Sequence, residues 1–325
     1  MTEQKAETAR SETTAAIRIG TRGSPLALTQ AAMTAQALLA AHGWKADAIE
    51  TIITQTVGDQ VQDRRLSEIG GKGLWTRELD RALVLGHIDL AVHSMKDVET
   101  GLAPGIALAA VLPRADPRDR LIGASSIDAI PQGATVGTSS PRREAQLRNR
   151  RPDLKVVVLR GNVQTRLRRI ADGDIAATFL AAAGLDRLGI DEGVTLDMPH
   201  WLPAASQGVV GIVCRADDMK MRQLLAAINH PDTMTCLRAE RALLDGLGGS
   251  CHTAVAAHAS LEGGLHLRAE LLSPDGRDRL DAEMRIDDAS VGDGGADALG
   301  HKMARDLIAR ATPAILRSLE PADAV

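Results

Sequence analysis

The stretch IRIGTRGSPLAL, residues 17–28, runs from a short strand directly into a helix and decides the fold class. Alternating β-branched residues at its start favour a strand. Ser24 followed by Pro25 is typical of a helix N-cap and first helical position, and Gly43 is placed to end that helix. Because strand-like segments followed by helix-like segments recur along the chain, we predict an α/β protein built on parallel or mixed sheets.

Strand-like and helix-like segments continue toward the C-terminus. The patterns predict strands at residues 17–20, 50–56, 88–92, 134–137, 155–159, 175–180, 209–213 and 265–272. They predict helices at residues 76–85, from 141, from 162 to 170, at 233–244 and near 301–319. The Pro-rich, charged segment 113–119 is a candidate crossover or hinge.

Length and composition limit the possible functions. A chain of 325 residues is long enough for two or three domains. Its 38 Lys and Arg against 42 Asp and Glu give a net charge of −4, so a global basic field for nucleic acid is absent. One Phe, three Trp and no Tyr leave few platforms on which bases could stack. We therefore expect no nucleic-acid partner.

The three cysteines, Cys214, Cys236 and Cys251, form neither a CxxC pair nor a Cys/His metal spacing. The sequence therefore predicts no metal site, and reduced thiols in a cytosolic protein instead of a disulfide framework. Cys214 and Cys236 are predicted to pack in the core. Residues 1–16 lack the apolar core of a signal peptide and are predicted to be a disordered tail. No apolar stretch is long enough to predict a membrane span.

At three places a predicted strand ends in a small or polar turn, a helix starts, and an arginine lies beside it. They are TRGSP at 21–25, TSSPRR at 138–143, and LRGN at 159–162 with Arg166 one turn later. Helix N-termini offer free N–H groups, and hydroxyls with a guanidinium complete a carboxylate or phosphate site. Ordinary capping explains any one of them equally well, but three of similar design indicate a polyanionic ligand. No GxGxxG or GxxxxGK[ST] motif supports nucleotide binding.

Three further segments carry candidate chemistry. HSMKD at 93–97 follows a buried strand, where Asp97 could stabilise a cation or move a proton, or could lie in an exposed loop. The stretch GGKGLW at 70–75 is a candidate mobile lid, or a plain turn. In GGSCH at 248–252, Cys251 is a thiol suited to covalent attachment, or an incidental free cysteine.

Nine ordered segments together resemble the hydroxymethylbilane synthase family, also called porphobilinogen deaminase. They are TRGSPLAL (21–28), GGKGLWTREL (70–79), DLAVHSMKD (89–97), DPRD (116–119), VGTSSPRR (136–143), RRPDL (150–154), LRGNVQTRL (159–167), AAGLDRLG (182–189) and LPAASQGVVGI (202–212). The resemblance runs from about residue 17 to residue 251 and more loosely to the end.

The resemblance implies an α/β protein of three domains. Domain 1 (residues 17–112 and 209–226) and domain 2 (116–204) are expected to form the two lobes of a periplasmic-binding-protein fold, with the chain crossing between them twice. A smaller α/β domain 3 (231–325) is expected to carry the cofactor cysteine loop.

The resemblance also implies an activity. The family is a transferase of porphyrin and heme biosynthesis that condenses four porphobilinogen molecules stepwise, releasing ammonia, and then adds water to release linear hydroxymethylbilane. Its cofactor is a dipyrromethane primer, which the GGSC match places on Cys251 through a thioether. The family implies a cytoplasmic monomer whose partner is the small-molecule substrate and not a membrane.

Site residues follow from the same resemblance. Asp97 is expected to be catalytic. Cofactor binding is expected from Cys251, Lys96, Ser94, Thr138, Ser139, Ser140, Arg142 and Arg143, substrate binding from Arg22, Ser24, Arg160, Arg166 and Arg187, and the lid from Lys72 and Trp75. Gln207, at the second crossover, is expected to be structural or hinge-related. Departures from the commoner family pattern are Pro141, Trp75, His252, Ala254 and Val213.

A binding protein is the alternative from a different class, because the same two-lobed architecture binds small anions without chemistry. Asp97, the cysteine loop and the third domain argue against it. A transcriptional effector-binding domain ranks lower, since the sequence holds no helix-turn-helix segment or basic arm.

Overall fold

The computed structural model describes residues 17–55, 76–248, 253–288, 291–292 and 294–319. Three sheets organise these residues: two five-stranded sheets and one three-stranded sheet. The predicted α/β class with mixed sheets is confirmed. The predicted domain limits stay a prediction.

The first sheet has the strand order β2-β1-β3-β10-β4. Its strands are β1 (Ile17–Arg22), β2 (Ile49–Thr54), β3 (Leu90–Ser94), β4 (Ile106–Val111) and β10 (Val210–Arg215). Strand β1 pairs in parallel with β2 and β3, whereas β10 runs antiparallel between β3 and β4. Helices α1 (Pro25–His42), α2 (Arg77–Val84) and α6 (Met219–Ala226) pack against it.

The second sheet has the order β7-β6-β8-β5-β9. Its strands are β5 (Asp119–Ile122), β6 (Thr135–Gly137), β7 (Lys155–Val157), β8 (Ala177–Ala181) and β9 (Val194–Thr195). Helices α3 (Pro141–Arg150), α4 (Val163–Ala171) and α5 (Ala182–Arg187) belong to this lobe. Phe179 and Trp201 stack in its core with ring centroids 4.8 Å apart.

The third sheet is an antiparallel meander of β11 (Val255–Leu261), β12 (Leu265–Leu272) and β13 (Arg279–Ile286). Helices α7 (Pro231–Gly246) and α8 (Gly295–Arg310) pack against each other and against this sheet, and α9 (Pro313–Leu319) completes the core. Within the described ranges, no helix is long and apolar enough to cross a membrane.

Most predicted elements are confirmed within a few residues, and one needs correction. The single helix expected near residues 301–319 is two helices, α8 and α9, because Pro313 lacks the N–H that a continuous helix needs and starts a new one instead. The predicted core positions of Cys214 and Cys236 are confirmed, since both are buried. The predicted tail at residues 1–16 lies outside the described residues.

Candidate active site

A cavity of about 750 Å³ opens between the first and second sheets. Residues from both lobes line it: the end of β3, the start of α1, the start of α3 and α4, helix α5, and the crossover that leads into β10. This volume is within the usual range for sites that hold small organic ligands.

Three helix N-termini reach this one cavity, as the three capped turns of the sequence suggested. Ser24 caps α1, where its Oγ accepts from the Ala27 N–H at 3.3 Å. Ser140 caps α3 in the same way, with Pro141 at the first helical position, and Asn162 caps α4. All three cap residues line the cavity, so the partial positive charges of the three helix N-termini lie at its wall and favour an anionic ligand.

Cationic side chains dominate the cavity wall. Of the lining residues in the described part of the chain, seven are cationic: Arg22, Lys96, Arg142, Arg143, Arg160, Arg166 and Arg187. Asp97 is the single carboxylate among those lining residues. An acidic protein thus presents a locally basic cleft, which favours a ligand with several carboxylates.

Asp97 and Lys96 lie in a tight turn, Met95–Asp97, that follows β3 directly. Met95 anchors the turn, because it is 1% exposed and its N–H donates to the Val209 carbonyl at 3.0 Å. Burial lowers the pKa of Lys96 to about 8, although the Asp97 charge opposes that effect. The Lys96 Nζ approaches Gln207 Oε1 at 3.5 Å.

Ser94, the last residue of β3, lines the cleft and is held from behind. Gln30 on α1 is 2% exposed, and its Nε2 donates to Ser94 Oγ at 2.7 Å. The hydroxyl is thereby fixed at the cavity wall, next to the turn that carries Asp97.

Arg142 and Arg143 are buried and share one carboxylate, that of Asp119. Arg142 Nη2 donates to Asp119 at 2.9 Å, and Arg143 Nη2 donates to the other carboxylate oxygen at 2.8 Å. Burial alone would raise the pKa of Asp119, but Arg142 and Arg143 hold it well below its usual range. The pair is therefore a fixed part of the cleft wall, not a set of flexible surface arginines.

The other arginines are also held by the protein. Arg166 Nε donates to the Gly161 carbonyl at 3.1 Å, and burial lowers the pKa of Arg166 to about 10. Arg187 Nη2 donates to the Gly208 carbonyl at 2.7 Å. Among the described residues, the buried Nε–H groups of Arg142 and Arg187 have no hydrogen-bond partner.

The structure brings most predicted site residues together. The cavity is lined by Arg22, Ser24, Ser94, Lys96, Asp97, Ser139, Ser140, Arg142, Arg143, Arg160, Arg166 and Arg187. Thr138 lies behind the wall: it is 2% exposed, and its Oγ1 accepts from the Ser140 N–H at 3.2 Å. Lys72, Trp75 and Cys251 lie outside the described residues. The chain on both sides of residues 249–252 nevertheless lines the cavity, at Leu244, Thr253 and Val255.

Asp119 is the residue that sequence reasoning missed. It is the last residue of DPRD, and the Pro-rich, charged composition of that segment indicates only a crossover or hinge. The structure places it at the start of β5, with no exposed surface, beneath the arginine pair. Gln207, expected to be structural, lies beside it and also lines the cavity.

The fold and the site define a two-lobed α/β protein with a basic interlobe cleft suited to a polycarboxylate ligand. A sequence model described as "Porphobilinogen deaminase, dipyromethane cofactor binding domain" matches residues 17–223, and one described as "Porphobilinogen deaminase, C-terminal domain" matches residues 234–309. The chain belongs to the porphobilinogen deaminase family.

Curated relatives agree with this membership. A porphobilinogen deaminase of Sphingopyxis alaskensis is 53% identical over 309 residues, which cover 93% of this chain and 96% of the relative. A porphobilinogen deaminase of Paracoccus denitrificans is 50% identical over 301 residues, covering 91% and 94%. Among solved structures, an ancestral cationic amino acid solute-binding protein is similar at 14% identity with a TM-score of 0.43, covering 66% of this chain and 88% of its own.

The predicted family, enzyme class and dipyrromethane cofactor are confirmed by these matches. The attachment of that cofactor through Cys251 and the individual roles of the site residues stay predictions.

Proposed function

We propose that this chain condenses four porphobilinogen molecules head to tail on a dipyrromethane primer that is bound to Cys251 through a thioether. Each condensation releases one ammonia, and one water then releases linear hydroxymethylbilane. The observation that carries this proposal is the cleft itself, where the described lining residues include seven cationic side chains, three helix N-caps and a single carboxylate, Asp97.

The residues present fit the cofactor. A dipyrromethane carries acetate and propionate side chains, and the cleft is lined by arginines and serine hydroxyls, the donor types that bind carboxylates. Ser94, Ser139, Ser140, Lys96, Arg142 and Arg143 would hold it, with Thr138 fixing the turn behind Ser140. When bound, the dipyrromethane supplies the free pyrrole carbon to which the first substrate is added. The chain that flanks residues 249–252 reaches the cleft, which supports Cys251 as its anchor.

Substrate binding follows from charge. Each porphobilinogen carries one acetate and one propionate, so the growing chain gains two negative charges per addition. We assign Arg22, Ser24, Arg160, Arg166 and Arg187 to these carboxylates, because all of them line the same cavity. Each charge-assisted hydrogen bond contributes about 1.5–3 kcal/mol.

Asp97 carries the chemistry in this proposal. When ammonia leaves the aminomethyl group of porphobilinogen, the pyrrole nitrogen of that substrate takes on positive charge. A carboxylate held at the cavity wall stabilises this charge and accepts a proton at Oδ1 or Oδ2. The short turn behind β3 restricts where this carboxylate lies, which meets the need for preorganisation.

Further parts of the proposal rest on the family. We assign Lys72 and Trp75 to a lid, and we place the enzyme in the cytoplasm as a monomer that needs no nucleic-acid or membrane partner. Gel filtration with light scattering tests the monomeric state, for which we expect a mass near 34.3 kDa at every protein concentration.

The test of the activity is a stoichiometric assay on the purified full chain. Incubation with porphobilinogen is expected to release four ammonia for each linear tetrapyrrole formed, with repeated turnover. Saturable porphobilinogen binding without ammonia release would overturn the proposal and support a binding protein instead.

A further inference from the structure

The carboxylate of Asp119 lies behind the cleft wall and accepts hydrogen bonds from four different side chains. Asp119 has no exposed surface. Its two oxygens accept from Arg142 Nη2 at 2.9 Å, Arg143 Nη2 at 2.8 Å, Trp201 Nε1 at 2.8 Å and Gln207 Nε2 at 2.8 Å. It does not line the cavity itself, so it cannot touch a ligand there.

The arginine pair depends on this carboxylate. Two guanidinium groups this close repel each other, and a single buried carboxylate between them offsets that repulsion. Arg143 Nε also donates to Asp119, at 3.3 Å. The other bonds of the pair go to neutral acceptors: Arg142 Nη1 donates to Gln146 and to the Leu202 carbonyl, and Arg143 Nη1 donates to the Phe179 carbonyl. In the described part of the chain, Asp119 is thus the only anion hydrogen-bonded to either guanidinium.

Gln207 extends the same network to the other lobe. Its Nε2 donates to Asp119 at 2.8 Å and to the Pro117 carbonyl at 2.7 Å, which fixes the orientation of the amide. The amide oxygen then faces Lys96, whose Nζ lies 3.5 Å away on the turn that follows β3. A path of contacts therefore joins Asp119 in the second sheet to the turn that carries Asp97 in the first.

Resting on the function proposed above, we infer that Asp119 is the positioning residue of this cleft. It orients the Arg142 and Arg143 guanidinium groups toward the ligand carboxylates and, through Gln207, sets the place of Lys96 across the cleft. The DPRD motif thereby gains a role: Asp119 organises the site from beneath, whereas Asp116 pairs with Arg118 away from the cavity.

The test compares four proteins in the porphobilinogen assay: wild type, Asp119→Asn, Asp119→Glu and the matched control Asp116→Asn. Asp119→Asn removes the charge that offsets the arginine pair, so its KM is expected to rise at least about tenfold, more than its kcat falls. Asp119→Glu keeps the charge and is expected to lose less, and Asp116→Asn is expected to stay near wild type. Equal KM values for Asp119→Asn and Asp116→Asn would overturn the inference.

A double-mutant cycle keeps the inference testable if Asp119→Asn does not fold. Gln207→Leu leaves the ion pairs between Asp119 and the two arginines in place and removes the amide, with its bonds to Asp119, to the Pro117 carbonyl and to Lys96. Lys96→Gln is expected to raise KM less in the Gln207→Leu background than in wild type, because the two residues act through one contact. Fully additive effects would contradict the relay from Asp119 to Lys96.

The same proteins separate this inference from the proposed function. If wild type forms no tetrapyrrole, the proposed function fails, and calorimetric titration with porphobilinogen then decides the role of Asp119. A dissociation constant for porphobilinogen at least about tenfold higher in Asp119→Asn than in Asp116→Asn supports the positioning role. Equal dissociation constants overturn it.

Discussion

Asp97 is the residue on which the proposed chemistry depends most directly. It is the single carboxylate among the described residues that line the cleft, and it faces a wall of cations. In the proposed function, this carboxylate attracts the substrate pyrrole as it becomes cationic, while the arginines attract the substrate carboxylates. The two kinds of charge would then orient one substrate molecule from two sides.

Asp97→Asn is expected to keep the fold and to lower turnover at least about 100-fold, because a neutral amide cannot stabilise the cation or accept its proton. The measurement is tetrapyrrole formation at saturating porphobilinogen. Asp128→Asn, a substitution at an exposed position in the second lobe, serves as the control and is expected to behave like wild type. Near-normal turnover of Asp97→Asn would contradict the assigned role.

Lys96 predicts a pH dependence of substrate binding. Burial lowers the pKa of Lys96 to about 8, so the ammonium is present below that pH and is lost as pH rises through it. The KM for porphobilinogen is therefore expected to rise above about pH 8. Lys96→Arg retains its charge in this range, so the rise is expected to move to higher pH in that variant. Identical pH profiles of KM for the two proteins would rule out Lys96 as the titrating group.

At the scale of elements, the turn that carries Lys96 and Asp97 depends on the strand beneath it. Gly211 in β10 lies against Met95, and a Cβ added there would meet Met95 Sδ at 2.1 Å. No side chain larger than hydrogen fits between this strand and the buried anchor of the turn. The antiparallel strand β10 thus fixes the place of the turn that carries Lys96 and Asp97.

Gly211→Ala is expected to destabilise the protein by about 1–3 kcal/mol through overpacking and to lower turnover by displacing Met95 and the residues after it. Gly101→Ala is the matched control, since an added Cβ meets nothing within 4 Å there. Chemical denaturation and the porphobilinogen assay measure the two effects. A Gly211→Ala protein as stable and active as Gly101→Ala would show that the turn does not depend on this contact.

Elements with a strong local signal could be predicted from the sequence, and those set by distant pairing could not. Helix α1 has a Ser cap, a Pro at its first position and a Gly at its end, and the structure reproduces all three. Strand β5 has four residues and emerges from a Pro-rich charged segment, so only its pairing with β8 and β9 makes it a strand. The antiparallel insertion of β10 between β3 and β4 likewise rests on pairs of residues that lie 100 or more positions apart in the sequence.

The same distinction applies to the site. Arg142, Arg143 and the capped turns are visible as residue types at strand ends. Asp119 is not, because its importance arises from four donors that come from three other segments, at residues 142–143, 201 and 207. A buried carboxylate in a polar motif has the same sequence signature as an exposed one.

At the scale of the whole molecule, Glu240 joins the C-terminal domain to the two segments by which the chain passes between the lobes, one at Arg114 and the other at Ser206. It lies on α7 with no exposed surface. It pairs with Arg114 at 2.6 Å, accepts from the Ser206 N–H, and accepts from the Ala259 N–H of β11 at 2.7 Å. Ser206 has a φ of 66°, a conformation unusual for a residue with a side chain. Glu240 therefore holds the second crossing in place.

Glu240→Ala is expected to lower the free energy of unfolding by about 3–5 kcal/mol, because it leaves the mostly buried Arg114 charge and two backbone N–H groups without their carboxylate partner. Asp306→Asn, which breaks the surface pair with Arg310, is expected to cost only about 0.2–1 kcal/mol. Denaturant unfolding of both variants measures the contrast. Equal losses would mean that Glu240 contributes no more than a surface ion pair.

A transferase that builds its product on a primer attached to Cys251 must carry that primer as purified, and the intact mass of the purified chain with a peptide map detects it. We expect a mass excess of two linked pyrroles on the peptide that contains Cys251, absent from Cys251→Ser and retained in Cys236→Ser. An unmodified chain that gains no mass after incubation with porphobilinogen would contradict the claim. So would an adduct on Cys214 or Cys236, both of which are buried.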